Sequence, residues 1–128
     1  MKLLNSLFSM TSSEASEGTA RYGIELNATH VIYAAHFPGQ PVTPGVCLQQ
    51  MAQELLEVYC SETLDLVHVK NVKFLKAISP MEYPCLTVYF SKINRDSSSG
   101  SVSAQALFLS PDNETLVKTS FTCRRSDL

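Results

Sequence analysis

No stretch of this chain comes near the roughly 20 consecutive apolar residues that a membrane-spanning helix needs, so no membrane span is expected. Positive charge is not in excess either: ten Lys and Arg stand against twelve Asp and Glu, a net charge of −2. Bulk binding of nucleic acid requires a basic footprint, and none is expected here. The four cysteines (Cys47, Cys60, Cys85 and Cys123) form no C-x-x-C pair and no Cys/His ligand spacing. A bound metal is therefore not expected, and the four read as free thiols in a reducing cytoplasm. The opening segment MKLLNSLFSM carries Lys2 and some apolar residues, but Asn5, Ser6 and Ser9 interrupt them and no small-residue cleavage site follows. It reads as mature chain rather than a secretion signal.

What is there is ordinary globular composition, 45% hydrophobic and 17% charged over 128 residues. That length suits one core and is short for two. Residues 1–128 are expected to form a single domain, with 1–20 as a lead-in holding a short helix or the first strand. The small polar stretch TSSEASEG (11–18) reads as a loop, and NRDSSSGS (94–101) as a turn.

From Val46 the segment VCLQQMAQELLEVYCSETL has no Pro or Gly and is rich in Leu, Met, Gln and Glu, which lose little side-chain freedom in a helix. Cys47, Met51, Leu55 and Val58 make one apolar stripe at helical spacing, and Leu48, Ala52, Leu56 and Tyr59 a second beside it. Gln50, Glu54, Glu57 and Ser61 form a narrower polar line. A helix apolar around most of its girth is mostly buried. RYGIEL (21–26) has strand character, as do LVHVKNVKFLKAI (66–78), PCLTVYFSKI (84–93), SVSAQALFLS (101–110) and TLVKTSFTCR (115–124). Short turns between strands suggest an antiparallel meander. One apolar helix needs a surface that covers it, and a curved antiparallel sheet supplies one. The expected class is α+β: an antiparallel sheet wrapped around a long central helix.

Ahead of that helix lies HFPGQPVTPGV (36–46). Pro38, Pro41 and Pro44 each fix one φ and remove one backbone donor. Gly39 and Gly45 permit tight turns or close approach. The segment is thus a stiff loop that ends where the helix begins. The first amides of a helix lack intrahelical partners and sit at the positive end of its dipole, so they can hold an anion or a polarised carbonyl oxygen. A histidine stands at one end of the loop and such amides at the other.

Every fixed position from His36 to Gly45 resembles the signature H-F-P-G-x-P-x-x-P-G of the β-hydroxyacyl-[acyl-carrier-protein] dehydratases, and Met51-Ala52-Gln53 is similar to that family's Met-Ala-Gln. The resemblance implies a hot-dog fold, paired into a homodimer or a higher oligomer with sites at the subunit interface. It implies dehydration of 3-hydroxyacyl thioesters to trans-2-enoyl thioesters in fatty-acid or specialised lipid and polyene synthesis. His36 would take the α-proton, and the amides of Gly45 and Val46 would polarise the thioester carbonyl. From the residues themselves, Phe37, Tyr33 and the Val/Leu strand faces are candidates to line an acyl tunnel, with core packing the alternative. No cofactor is needed. The substrate would arrive on an acyl carrier protein, acidic in character, or on CoA. Lys70, Lys73, Lys76, Arg124 and Arg125 are candidates for a basic docking surface, with ordinary solubility the alternative.

The family places an Asp or Glu on the helix to help expel the hydroxyl. Counting from His36 that position is Gln50; counting back from Met51-Ala52-Gln53 it is Gln49. Neither can donate a proton as a carboxylic acid would. Three expectations follow. Glu54, one helical turn beyond Gln50, takes over; or His36 cycles the proton alone while Gln50 hydrogen-bonds the hydroxyl or a water; or the protein is a thioesterase or a non-catalytic acyl-binding module. His30, His68 and Cys47 read as structural.

Overall fold

Alternation of apolar and polar residues decides most of the sheet. The computed structural model describes residues 2–35 and 39–126. Strands β2 (Thr19–Leu26), β4 (Cys85–Asp96), β5 (Ser101–Leu109) and β6 (Thr115–Arg125) each turn alternate side chains to one buried face. Ala20, Tyr22 and Ile24, then Leu86, Val88 and Phe90, then Val102, Ala104, Ala106 and Phe108 form successive rows on that face. With β1 (Phe8–Ser16) and β3 (Leu64–Phe74), the strands pair antiparallel throughout and run in the order β1-β2-β4-β5-β6-β3.

Helix α2 (Gly45–Cys60) supplies the other half of the core. Met51, Ala52, Leu55 and Leu56 are wholly buried, and Cys47, Leu48 and Cys60 nearly so. Both expected apolar stripes thus lie inward, apart from their C-terminal members: Val58 is 38% exposed and Tyr59 half-buried. The helix closes on Ser61 in the left-handed conformation (φ 56°), whose amide returns to the Glu57 carbonyl. Glu57 Oε2 then accepts from the Leu64 amide at 2.7 Å and ties the helix end to the start of β3 (Leu64–Phe74).

Three expectations are corrected. Residues 11–18 are not a loop: Thr11–Ser16 belong to β1 (Phe8–Ser16), with the turn confined to Glu17 and Gly18. This strand is an edge with most side chains in water, so its polar composition says nothing against pairing with β2. Likewise Asn94–Asp96 extend β4 into the expected turn. The meander holds only for β4-β5-β6. Strand β3 pairs with β6 instead of β4, because β2 and β5 already occupy both edges of β4. A short helix, α1 (Val31–Ala35), precedes the stiff loop.

All four thiols are free, as expected. Burial raises the pKa of Cys47, Cys60 and Cys123, the last to about 12 from an ordinary 9.0, while Cys85 is exposed. At pH 8 an alkylating reagent should therefore modify Cys85 rapidly and the other three only at the rate of unfolding, which mass mapping of a labelling time course reads directly. The unfolded chain ionises Cys123 before the folded one does, so this thiol's contribution to stability is intact below pH 9 and is lost as pH rises toward 12.

Candidate active site

The stiff loop is held at both of its flanks. Tyr33 of α1 and Thr43, both buried, share a hydroxyl–hydroxyl bond of 2.9 Å. Burial is the main cause that lifts the Tyr33 phenol above its usual pKa, with the Thr43 bond pulling the other way. The Thr43 amide donates to the Ile78 carbonyl at 2.8 Å, which fixes the last residues before α2 to the β3–β4 connection. Upstream, His30 starts α1: its Nδ1 accepts from the Ile32 amide at 3.0 Å, so its Nε2 carries the proton and donates to Ser6 Oγ at 3.2 Å. His30 is thus structural, and His68 is exposed on β3. His36 and Phe37 lie outside the described residues.

At the start of α2, Pro44 is the cap residue in extended conformation (ψ 145°) and no side chain caps the helix. The Cys47 and Leu48 amides both donate to the Pro44 carbonyl, at 3.0 and 3.1 Å. Among the described residues the Gly45 and Val46 amides have no acceptor, which leaves two donors at the positive end of the helix. Gly45 lies close under its neighbour: a Cβ there would lie 2.7 Å from Cζ of Phe74, so the Phe74 ring, which covers this turn from β3, would have to shift.

An open groove runs along most of α2, lined by Val46, Gln49, Gln50, Gln53, Glu54 and Glu57, with Lys2, Thr63 and Leu66 of β3 at its sides. It brings together four of the candidate residues: Val46, Gln50, Glu54 and the alternative Gln49. The two glutamines face different ways. Gln49 turns to the sheet, where its Oε1 accepts from Thr119 Oγ1 at 2.7 Å. Gln50 Nε2 donates to Glu54 Oε2 at 2.8 Å.

Glu54 differs most from its sequence reading. It is not on a wet line but 5% exposed. Its carboxylate accepts from the Leu3 amide (2.8 and 3.1 Å to its two oxygens) and from the Leu4 amide at 2.7 Å, besides Gln50. These bonds seat the turn formed by residues 3–7 on the helix, with Leu3 and Leu7 in the core. One further contributor was missed: Thr119 of β6, whose hydroxyl interrupts the inward apolar row of Val117, Phe121 and Cys123. That interruption was the only signal in the sequence. The proposed basic surface is divided. Lys76 is paired with Glu114 at 3.0 Å, Lys73 lies opposite Lys118, and Arg124 opposite Asp65.

One antiparallel sheet folded about one long buried helix, with a stiff loop feeding open amides at the helix start, defines a hot-dog protein. The chain belongs to the ApeI-like dehydratase family, whose model matches residues 12–106. A 3-hydroxyacyl-[acyl-carrier-protein] dehydratase, FabZ of Lactiplantibacillus plantarum, is 34% identical over 82 residues, 59% of this chain and 54% of that enzyme. The chain thus matches about half the length of this relative. Among solved structures, the dehydratase heterocomplex ApeI:P from Xenorhabdus doucetiae superposes with a TM-score of 0.67 at 18% identity, over 91% of this chain and 96% of that one. A hypothetical thioesterase with coenzyme A from Streptococcus pneumoniae gives 0.65 at 10% identity, over 93% and 85%.

The Glu54 carboxylate supports the N-terminal turn by hydrogen bonds to ionised oxygens, each worth about 1.5–3 kcal/mol. Glu54→Leu leaves the Leu3 and Leu4 amides unpaired beside the core. It should lower unfolding free energy by about 3 kcal/mol, measured by denaturant titration, and should speed hydrogen exchange at Leu3 and Leu4 more than at Leu55.

Proposed function

We propose that this protein dehydrates 3-hydroxyacyl thioesters to trans-2-enoyl thioesters. The observation that carries the reading is the pair of open amides at Gly45 and Val46, set where the His36 loop enters a buried helix. A thioester oxygen at these amides would be stabilised as negative charge develops on it, and the α-proton made more acidic. His36 is the base. The proton it takes from Cα goes to the departing 3-hydroxyl, so the C–O bond breaks, the Cα–Cβ double bond forms and water leaves. Phe37 borders the acyl site. No cofactor takes part. Membership in a dehydratase family supports the reaction class, and the chain length, carrier and pathway follow from the assay below. A carrier protein or CoA delivers the thioester to a protein of the cytoplasm.

The groove beside α2 supports His36 cycling its proton over Glu54 acting as replacement acid. Glu54 is held by two backbone amides and Gln50, so freeing it for proton donation would unseat the N-terminal turn. We further propose a dimer through β3. This strand's outer edge is unpaired among the described residues, and Leu66, Val67, Val72, Phe74 and Leu75 around it are 39–61% exposed. In a homodimer Gln50 of one copy would face His36 of the other. A second, acid-bearing hot-dog subunit would instead supply the carboxylate that Gln50 lacks, a reading favoured by the likeness to a dehydratase heterocomplex.

The test is incubation with 3-hydroxyacyl and plain acyl thioesters, on pantetheine, CoA and carrier protein over a range of chain lengths. Enoyl product is followed in the ultraviolet and free thiol with a chromogenic reagent. Enoyl product should form and should fall at least a hundredfold in His36→Ala. Gln50→Glu should raise the rate. Free thiol without enoyl product would mean a thioesterase, and no turnover of any thioester would end both enzyme readings.

A further inference from the structure

The outer face of the sheet, turned away from α2, carries a charge pattern that folding alone does not explain. Lys73 of β3 and Lys118 of β6 stand directly opposite each other in register. Like charges so placed oppose pairing. Lys70 and Lys92 lie beside them, so four of the chain's six lysines share this face. None of the four has a carboxylate partner among the described residues, where the ion pairs are Lys76–Glu114 and Arg95–Glu62.

Two irregularities of the sheet aim lysines at the same place. Lys70 is the extra residue of a bulge in β3, between Val69 and Asn71. A second bulge interrupts β4 between Ser91 and Asn94. There Lys92 takes the left-handed conformation (φ 54°), which residues with a side chain seldom adopt. Bulges re-aim side chains. With Lys118, these two lysines rim a cleft of about 530 Å³, a volume within the range of small-ligand sites. Its floor is short and neutral: Ser103 and Gln105 of β5, Ser120 and Thr122 of β6. Among the described residues no carboxylate lines it, in a chain whose acids outnumber its bases.

Rim and floor together select the ligand. Lysine supplies mobile point charges that suit phosphate, whereas the planar fork that matches a carboxylate belongs to arginine, which does not line this cleft. The hydroxyls and amides of the floor can donate to further phosphate oxygens. From β4 to β3 the face spans three strand spacings, about 14 Å, which is room for more than one phosphoryl group. We infer that this cleft binds a small molecule with two or more phosphoryl groups, gripped by Lys70, Lys92 and Lys118, with Lys73 beside them. It lies on the face of the sheet opposite α2 and is independent of the thioester reaction.

The experiment is calorimetric titration of the full chain at low salt with inorganic phosphate, pyrophosphate, tripolyphosphate, ADP and poly-glutamate, alongside thermal unfolding. Pyrophosphate and tripolyphosphate should bind more tightly than inorganic phosphate and raise the unfolding temperature. Lys92→Asn, which suits the left-handed position, and Lys118→Gln should each weaken pyrophosphate binding about tenfold, the loss of one charge-assisted hydrogen bond. Without ligand, Lys118→Gln should unfold at the same or a higher temperature, because its repulsion with Lys73 is gone. Lys76→Gln, whose ammonium is paired with Glu114 outside the cleft, should bind as wild type does. ADP binding tighter than pyrophosphate would make the ligand a nucleotide; equal or weaker binding would make it a free oligophosphate. The inference is overturned if no phosphate compound binds, or if binding survives unchanged in both cleft variants. Poly-glutamate binding as tight as tripolyphosphate would also overturn it, since the face would then be a dock for an acidic protein.

Discussion

Everything in this molecule is referred to the burial of α2 against the inner face of the sheet. Met51, Ala52, Leu55 and Leu56 are entirely removed from water. At about 1.5–3 kcal/mol for each large apolar side chain, this packing fixes the helix in position and in rotation. A helix so fixed has its first turn fixed as well. In the proposed reaction the open amides of Gly45 and Val46 would therefore cost no reorganisation on receiving a carbonyl oxygen, which is the condition under which such donors stabilise developing charge most effectively.

The rotation of α2 also explains how three neighbouring polar residues come to do different things. Gln49, Gln50 and Glu54 differ by one and four positions, hence by about 100° and about 40° around the axis. Gln49 meets β6 and Thr119. Gln50 and Glu54 share a face, meet each other, and meet the turn at residues 3–7. A carboxylate on a mostly apolar helix is sustained only by partners for its oxygens. Here they are backbone amides, so the N-terminal turn and the helix hold each other.

Much of this was legible before any coordinates. The helix and strands β2, β4, β5 and β6 announced themselves because each buries one face, and burial on one face imposes a period on the sequence. The entry into the helix at Pro44 and Gly45 was legible because Pro and Gly act on their own backbone. What failed shares a cause. Strand β1 is exposed on most of its length and needs no apolar period. The partner of β3 depends on which sheet edges remain free, a property of the whole topology. The burial of Glu54 depends on backbone amides 50 and 51 residues away, which leave no mark on side-chain identity. That Gln49 meets Thr119 while Gln50 meets Glu54 depends on the rotation of the helix, which a one-residue ambiguity of alignment conceals.

Strand β3 ties the site to the outer edge of the sheet. Leu66, Val67, Val72, Phe74 and Leu75 on and just after it are largely exposed, interleaved with Asp65, His68, Lys70 and Lys73, and an exposed apolar edge of this kind is a surface on which another chain can pair. Phe74 stands at the end of this strand, 54% exposed, with its ring against Gly45. A chain that pairs with β3 must therefore settle around the same ring that closes over the first turn of α2. In the dimer proposed through β3, assembly and access to the open amides would become one problem, because Phe74 would belong to both surfaces.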